Sequence, residues 1–340
     1  MAIRRGAVRG EDGSVGPLFA AVLLALAAAL AAASVFVGRS LDYGRRSEAA
    51  SALRRQLTDT IAETIAELGA DPTPDSDGPR DPVWSRLGRR PDGIAVELAD
   101  LSSRANANFV SAEFLGGTEL RDQLAPGASP AALAAFRCEE GLATELGHYR
   151  DFLGEDSAGS WTCFGWANAN TADPASLKSL YRSLVGSEDA AEAFSLRVAA
   201  ARSAKRAIVA DTLKELLGGS YPEAWPAINV AASHNANFAP PALLRAVVAY
   251  APFGIPEPAA KAGALIAARE SADLAAGELA SILGVDATNG VFQYLGTRTY
   301  FWSLTARRAG VSCRAVAAVR PEEGRGLERK IEIVETRFEP

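Results

Sequence analysis

The sequence predicts an α+β protein, in which a long N-terminal helix carries an antiparallel β-sheet with a large all-α domain inserted into it. Three observations predict this class: an uncharged apolar run near the N-terminus, helix-period patterns through the middle of the chain, and short alternating runs near its end. With 340 residues the chain is long enough to bury a sizeable core. The predicted segments are a basic N-terminal stretch (1–13), a transmembrane helix (14–38), an amphipathic stem helix (39–69), a linker (70–91), two parts of the sheet (92–104 and 296–338) and the inserted helical domain (105–295).

The apolar run "GSVGPLFAAVLLALAAALAAASVFVG" contains no charged residue from Gly13 to Gly38. A helix over residues 17–38 would be roughly 33 Å long, which is enough to cross the hydrocarbon core of a bilayer. The alternative is a secretory signal peptide cut near Ala33, but "SVFV" continues the run beyond the usual length of such a peptide. We therefore expect a retained membrane helix. Arginines flank the run on both sides, so charge alone leaves its orientation open.

A second helical pattern follows directly, in "RRSEAASALRRQLTDTIAETIAEL". Apolar residues recur there every three or four positions and form one stripe, while charged residues occupy the other faces. The stripe contains Leu53, Leu57, Ile61 and Ile65. The run "ADPTPDSDGPRDP" (70–82) then ends the helix, because proline and glycine interrupt it. The sequence thus predicts a stem with one face ready to pack against another surface.

The remainder of the chain reads as strand, helices, then strands. "DGIAVELADLSS" (92–103) alternates apolar and polar residues, as a half-buried strand does. Helical patterns fill most of the chain from there to about residue 290. After Gly296 the period changes, and "RTYFWSLTARR", "GVSCRAVAAVR" and "RKIEIVETRF" predict a three-stranded antiparallel meander.

The tripeptide Asn-Ala-Asn occurs three times inside the predicted helical domain, each time shortly before a leucine-bearing helix start. The asparagines are Asn106, Asn108, Asn168, Asn170, Asn235 and Asn237. Three residues after each second asparagine stand Ser111, Asp173 and Pro240, at positions where helix N-caps are expected. Asparagine side chains bond to nearby backbone and suit tight corners. The pattern predicts a recurring turn-and-cap device, in preference to a ligand site.

Candidate chemistry is sparse. The chain has no GxSxG, HExxH, P-loop or GxGxxG motif, and only His148 and His234 as imidazoles, so we expect no enzymatic activity. The net charge of −6 argues against a general nucleic-acid binder. No cofactor is predicted. The acidic run "DPTPDSDG" lacks the EF-hand spacing, so it is interpreted as a solvated linker, and calcium stays possible without assignable ligands.

Three cysteines are too few for a disulfide scaffold. Cys138 and Cys163 could pair in an oxidising compartment, since only a short helical segment separates them. Cys313 lies in a predicted strand and is expected to be a small buried side chain.

The order of these segments resembles the minor pseudopilin K family of type II secretion systems, over almost the whole of residues 13–337. The first strand and its corner match in "VELADLSSRANANF", and a later corner matches in "SHNANFAPPALL". Two helices, "ALIAARES" and "ELASILGV", and the strand "TYFWSLTARRAG" follow in the family's order. The resemblance implies a pilin-like sheet and a place at the tip of the pseudopilus.

The resemblance also implies how the N-terminus is processed and what it contacts. Prepilin peptidase would cut between Gly13 and Ser14, although Asp12 stands where the family usually has a basic residue. Mature position five would be Leu18, where most pseudopilins other than protein K have glutamate. The implied assembly interface comprises Leu18, Leu53, Leu57, Ile61 and Ile65. The implied partners are I- and J-type minor pseudopilins, prepilin peptidase and the inner-membrane secretion platform, for a single-pass inner-membrane protein with a periplasmic head.

Two other families remain open. "VGRSLDYGRRSEAASALRRQL" is similar to the segment after the membrane helix in tight-adherence (Flp) pilus assembly proteins of the TadG type, but the DxSxS metal motif often found there is missing. A membrane-anchored helix-hairpin-helix DNA-binding protein is the third possibility. Its hairpin needs glycines where "PFGIPEP" has Pro256 and Glu257, and the chain is acidic.

Overall fold

The computed structural model describes most of the chain between residues 15 and 339. The residues that it leaves out inside this range are 74–75, 86–89, 91, 155–158, 204–206, 225–226, 232–233 and 320–330. The chain divides into two compact units, Met1–Gln56 and Leu57–Pro340, and each is described by itself.

A single helix, α1 (Val15–Gly69), contains all of the described first unit and begins the second. Its alanine- and leucine-rich sequence has high helix propensity, and the helix ends at Gly69. In the first unit its large apolar side chains are exposed, for example Leu24 at 72% and Phe36 at 74%. By length and composition this helix could span a membrane, a test that a signal sequence near an N-terminus also passes.

Ten further α-helices are described in the second unit. They are α2 (Pro82–Ser85), α3 (Ala112–Gly116), α4 (Pro130–Glu140), α5 (Pro174–Val185), α6 (Glu188–Ser203), α7 (Ala210–Leu217), α8 (Tyr221–Ala224), α9 (Pro241–Ala249), α10 (Pro258–Ser271) and α11 (Ala276–Leu283). The described strands are β1 (Ala95–Asp100), β2 (Ala105–Asn106), β3 (Trp161–Thr162), β4 (Ala167–Asn168), β5 (Ile228–Asn229), β6 (His234–Asn235), β7 (Leu295–Gly296), β8 (Phe301–Arg308), β9 (Val311–Val319) and β10 (Ile331–Glu339). Helix and antiparallel sheet are therefore both present, as the sequence predicts.

The main sheet has four antiparallel strands in the order β1-β8-β9-β10. Strands β8 and β9 form a tight hairpin, whose turn residues Ala309 and Gly310 have φ of 51° and 80°. Positive φ at both turn positions matches the right-handed twist of the flanking strands. The neighbours β1 and β8 are far apart in sequence, and helices α3–α11 lie between them along the chain. The chain between these two neighbouring strands is thus a large insertion into the sheet.

The C-terminal part of α1, from Leu57 onward, packs within the second unit. Leu57 and Ile61 are 0% and 1% exposed. Thr58 forms a side-chain hydrogen bond with Cys313 of β9, which places this part of the helix over that face of the sheet. Ala306 and Ala315 are buried beside Cys313 on the same face, where small side chains allow a helix to approach closely.

The insertion consists of three modules, each of which begins at an Asn-Ala-Asn corner and returns to pair with its own start. The first module (105–162) closes through parallel pairing of β2 with β3. The second (167–229) closes through β4 with β5, and the third (234–296) through β6 with β7. One apolar core joins the first and third modules, and another fills the second.

Candidate functional site

The first asparagine of each corner fixes the turn. Its side-chain Oδ1 accepts a hydrogen bond from the backbone N–H of the second asparagine. The distances are 2.9 Å for Asn106–Asn108, 2.8 Å for Asn168–Asn170 and 3.0 Å for Asn235–Asn237. This local bond competes with regular secondary structure, so the short strand ends and the chain turns toward the next helix.

The second asparagine of each corner holds a distant segment of the same module. Its Oδ1 accepts from one backbone N–H, and its Nδ2 donates to the carbonyl of the same residue. The residues held are Ala143 by Asn108, Ile208 by Asn170 and Leu274 by Asn237. One amide side chain thus satisfies both backbone groups of a buried or half-buried loop residue, which would otherwise lack partners.

The same contact with an arginine side chain recurs at all three corners, and the sequence pattern did not predict it. Arg137, Arg202 and Arg269 each donate from the guanidinium to two corner carbonyls: the middle alanine and the residue three positions later. Each arginine follows the middle alanine of its corner by 30 or 33 residues. This repeated spacing is the signal in the sequence that could have identified them.

The helices after the corners begin at the expected positions. Ser111 and Asp173 are the N-caps of α3 and α5, and their side chains accept from Phe114 N–H and Ser176 N–H. Pro240 occupies the same position before α9 but has no side-chain acceptor. The corner, the cap and the arginine together form one structural unit that is used three times.

A cavity of about 50 Å³ is lined by Asn106 and Asn168 of the first two corners, by His234 beside the third, and by residues at the start of β8. The ring of Trp166 and the side chains of Tyr300 and Phe301 form an aromatic part of its lining. His234, which also lines it, is 6% exposed, and burial lowers the pKa of its imidazole to about 4, so the ring is neutral at pH 7. Asn106, Asn229 and His234, which belong to its lining, each have one buried side-chain nitrogen without a hydrogen-bond partner among the described residues.

A cluster of three carboxylates lies in the segment predicted to be a solvated linker. Asp71, Asp77 and Asp81 are 4%, 1% and 5% exposed, and one ligand atom from each lies within 4.8 Å of the others. Asp77 also hydrogen-bonds to the backbone just before β8: its N–H donates to Thr297 O, and its Oδ2 accepts from Thr299 N–H. The linker prediction was therefore wrong about exposure: this segment is clamped into the fold. Carboxylate oxygens are ligands that calcium uses, although a group of acids alone does not make a metal site.

The buried carboxyl of Asp100, at the end of β1, has a pKa that Asp77 of this cluster helps to raise. Burial, and then the charge of Asp77, raise the pKa of Asp100 to about 8. Its Oδ1 accepts from Ser102 N–H at 2.6 Å, and the Thr299 side chain also hydrogen-bonds to this carboxyl. A carboxyl in this state holds a proton at neutral pH.

The three cysteines lie in different environments. Cys138 is exposed in α4 whereas Cys163 is buried, and both are free thiols, so the disulfide considered from the sequence is not formed. Burial, with Glu145 nearby, raises the pKa of Cys163 to about 12. Cys313 is buried in β9 as expected.

The stem residues divide into two groups. Leu57 and Ile61 are buried within the second unit, so they are not free to contact another subunit, and their place in the predicted assembly interface is corrected. Leu53 and Ile65 are half-buried. Gly13 and Ser14 lie outside the described residues, and Leu18 lies in α1 where only the backbone is described.

No protein-family model matches the chain, and no curated protein matches it.

Proposed function

We propose that this protein is a K-type minor pseudopilin, which nucleates and caps the short pseudopilus of a type II secretion system. The observation that carries the proposal is the combination of a 55-residue N-terminal helix with an antiparallel sheet that receives a large helical insertion between β1 and β8. Leu57 and Ile61 pack the end of that helix into the sheet-bearing unit. This arrangement supports a pilin-like protein in which a helix anchors a globular head.

The insertion supports a place at the tip. A subunit adds to a helical filament through its N-terminal helix, and a head enlarged by three modules hinders addition above it. In this proposal, as the family resemblance implies, the leader is cleaved between Gly13 and Ser14. Leu18 then stands at mature position five, where most pseudopilins have glutamate. A subunit lacking that glutamate can dispense with a neighbour above, which suits the tip.

The proposed interface with other subunits is revised by the burial of Leu57 and Ile61. It consists of the exposed apolar side chains of α1 that precede them, among which Leu41 is 59% exposed and Tyr43 is 77% exposed. Leu53, which is half-buried, borders this surface. In the membrane the same helix would contact lipid and the helices of I- and J-type minor pseudopilins.

This proposal gives calcium a position at the cluster of Asp71, Asp77 and Asp81. Asp71, Asp77 and Asp81 fit a hard divalent cation because they offer three buried carboxylates within 4.8 Å of one another. A bound ion would offset the repulsion between these charges and fix the segment that follows α1.

The test is co-purification of the full-length protein, in detergent, with I- and J-type minor pseudopilins. We expect a stable complex by size exclusion. Leu41→Glu should weaken the complex, because a buried charge at a helix interface is costly. The matched control is Leu196→Glu, which changes a 62% exposed leucine of α6 in the head.

Failure to form any complex with these pseudopilins would count against the proposal. Complex formation with Flp-pilus components instead would support a TadG-type assembly protein. Equal complexes for both leucine variants would exclude the proposed interface on α1.

A further inference from the structure

Strand β10 forms one edge of the main sheet. It pairs with β9 on its inner side, and no other strand of the described residues pairs with its outer side. In an antiparallel ladder, alternate residues direct their N–H and C=O groups toward the neighbouring strand, and the residues between them direct theirs away from it. The outer side of β10 is therefore a row of backbone donors and acceptors to which another strand can pair.

Strand β10 is long for an edge strand and exposes large apolar side chains. It has nine residues, against six in β1 at the other edge, and it contains neither proline nor lysine. Ile333 and Val334 are 48% and 55% exposed. The ladder with β9 shifts once, between Ile333 and Glu335, and is regular from Glu335 to Glu339. Five consecutive residues thus keep the register of the sheet up to its edge.

The two faces of β10 differ in chemistry. One face carries Ile333 and Phe338, which lie opposite small residues of β9, while the other face carries Glu335, Arg337 and Glu339. Side chains directly opposite each other on neighbouring strands lie on the same face of a sheet and contact one another. A strand that pairs with β10 must therefore alternate apolar residues with charged ones.

The charges on the polar face favour a basic strand. Arg337 is paired with Glu145 and with Glu335, so its charge is offset within the head. Glu339 is exposed at the end of the strand, and Glu332 adds a third carboxylate to the same face. Opposite charges across neighbouring strands attract each other, whereas like charges destabilise the pair. Lysine or arginine side chains of an added strand would meet this acidic face.

A second copy of this chain does not satisfy the requirement. Antiparallel pairing of the regular segment with itself sets Glu335 opposite Glu339 at two places and Arg337 opposite its own copy, and like charges placed in this way are destabilising. A shift in register either shortens the paired segment or includes the bulge at Val334. A different polypeptide with basic residues therefore fits the edge better than β10 of another copy.

We propose that the outer edge of β10 binds an extended segment of another protein, which alternates apolar and basic residues and adds to the sheet as a fifth strand. Its backbone would pair with the outward N–H and C=O groups of β10. Its basic side chains would lie beside Glu335 and Glu339, and its apolar side chains beside Ile333 and Phe338. In such strand addition, main-chain hydrogen bonds supply affinity and the alternate side chains supply specificity. The inference does not rest on the proposed function.

The test uses the full-length protein in a nonionic detergent and a fluorescently labelled peptide, Lys-Val-Thr-Val-Lys-Val-Lys, with both ends blocked. When this peptide pairs antiparallel with β10, its first and fifth residues lie opposite Glu339 and Glu335. We expect saturable binding by fluorescence anisotropy. The peptide Glu-Val-Thr-Val-Glu-Val-Glu should bind at least about tenfold more weakly, which corresponds to about 1.4 kcal/mol.

Two N-methylated forms of the lysine peptide test the main-chain pairing. One form carries methyl groups on the amides of its even-numbered residues, and the other on those of its odd-numbered residues after the first. Only one of these sets of amides points at β10 in an edge pair, so one form should lose binding and the other should retain it. Hydrogen–deuterium exchange should show added protection within residues 331–339 and no change in β1.

A charge-reversed variant tests the side chains. Glu335→Lys combined with Glu339→Lys should reverse the preference, so that the glutamate peptide binds more tightly than the lysine peptide. The matched control is Glu48→Lys combined with Glu215→Lys, which makes the same change in net charge at exposed helix positions. This control should bind both peptides as the unchanged protein does.

The inference fails if the unchanged protein shows no saturable binding of the lysine peptide at millimolar concentration, or binds the lysine and glutamate peptides equally. Equal binding of the two N-methylated forms would also overturn it, as would protection of β1 in place of β10. These results do not depend on whether the charge-reversed variant folds. A dimer of the unchanged protein that protects β10 from exchange would assign the edge to a second copy and would contradict the proposed occupant.

Discussion

The guanidinium of Arg137 is fully buried, although arginine is rarely buried unless its donors are bonded. It donates to Ala107 O and Val110 O of the first corner and to Leu133 O of its own helix. The same contact recurs at Arg202 and Arg269. Each arginine thus supplies the hydrogen bonds that a sharply turned backbone cannot make internally.

Removing this side chain should destabilise the head strongly. Arg137→Ala would leave two corner carbonyls without a donor and create a cavity, so we expect a loss of about 4 kcal/mol in the free energy of unfolding. Urea denaturation with the midpoint and slope both fitted measures it. The control is Arg150→Ala, at a side chain that is 82% exposed, which should change stability by less than about 0.5 kcal/mol. Similar losses in both variants would contradict the assigned role.

The carboxyl of Asp100 should make stability depend on pH near neutrality. Its pKa is about 8 in the folded protein and 3.8 as the reference value, so the folded state holds a proton that the unfolded state has released. The associated stability is full below pH 3.8 and is lost as pH rises through 8. Between pH 7 and pH 8 we expect a fall of about 1 kcal/mol in the free energy of unfolding.

Asp100→Asn should flatten this dependence, because the amide does not titrate and can still accept from Ser102 N–H. Measurements of unfolding at both pH values in the presence of a chelator provide the comparison. The His234 ring does not interfere, since its reference pKa of 6.5 and its folded value of about 4 both lie below this window. Asp122→Asn, at a side chain that is 74% exposed, should retain the slope of the unchanged protein. An unaltered slope in Asp100→Asn would refute the assignment.

At the scale of elements, α1 combines two environments along one continuous helix. Its residues before Leu57 expose large apolar side chains, while Leu57, Ile61 and Leu68 are almost completely buried in the second unit. The periodicity of the stem predicted an apolar stripe but could not say what covers it. The tertiary structure buries it within the second unit, where the neighbouring Thr58 hydrogen-bonds to Cys313 of β9.

Truncation should separate these two environments. Starting the chain at residue 50 should give a soluble, folded protein, since the exposed apolar part is removed and the buried part is kept. Starting it at residue 70 removes three buried apolar side chains worth about 6 kcal/mol together, which is comparable to the whole stability of many domains. We expect that product to unfold or aggregate. Circular dichroism and light scattering distinguish the outcomes, and a folded, monomeric 70–340 chain would contradict this account.

For the whole molecule, the segment around Asp77 ties the parts of the second unit together. Asn235 and Asn237 of the third module both donate to Asp77 O, and Thr299 N–H donates to its Oδ2 just before β8. Asp71 and Asp81 are buried beside it. The segment after α1 is therefore a central connection of the head rather than a spacer.

Calcium should stabilise the whole head if it binds this cluster, since a ligand that binds only the folded state adds RT ln(1 + [L]/Kd). We expect millimolar calcium to raise the thermal unfolding midpoint by several degrees and a chelator to reverse the change. Asp81→Asn should abolish the response, whereas Asp122→Asn should not. A midpoint that is insensitive to calcium in the unchanged protein would show that the carboxylates are held without it.

The sequence by itself determined the features that depend on local order: the apolar helix, the strands of the meander and the three asparagine corners with their caps. Helix period, strand alternation and capping chemistry act over a few residues, so they are visible in one dimension. Only the tertiary structure decided that Leu57 and Ile61 are buried, that Asp71 and Asp77 are enclosed, and that Cys138 and Cys163 are free thiols. It also decided that Arg137 meets a corner 30 residues away. Such contacts depend on how distant segments fold back on one another, and no local pattern fixes that geometry.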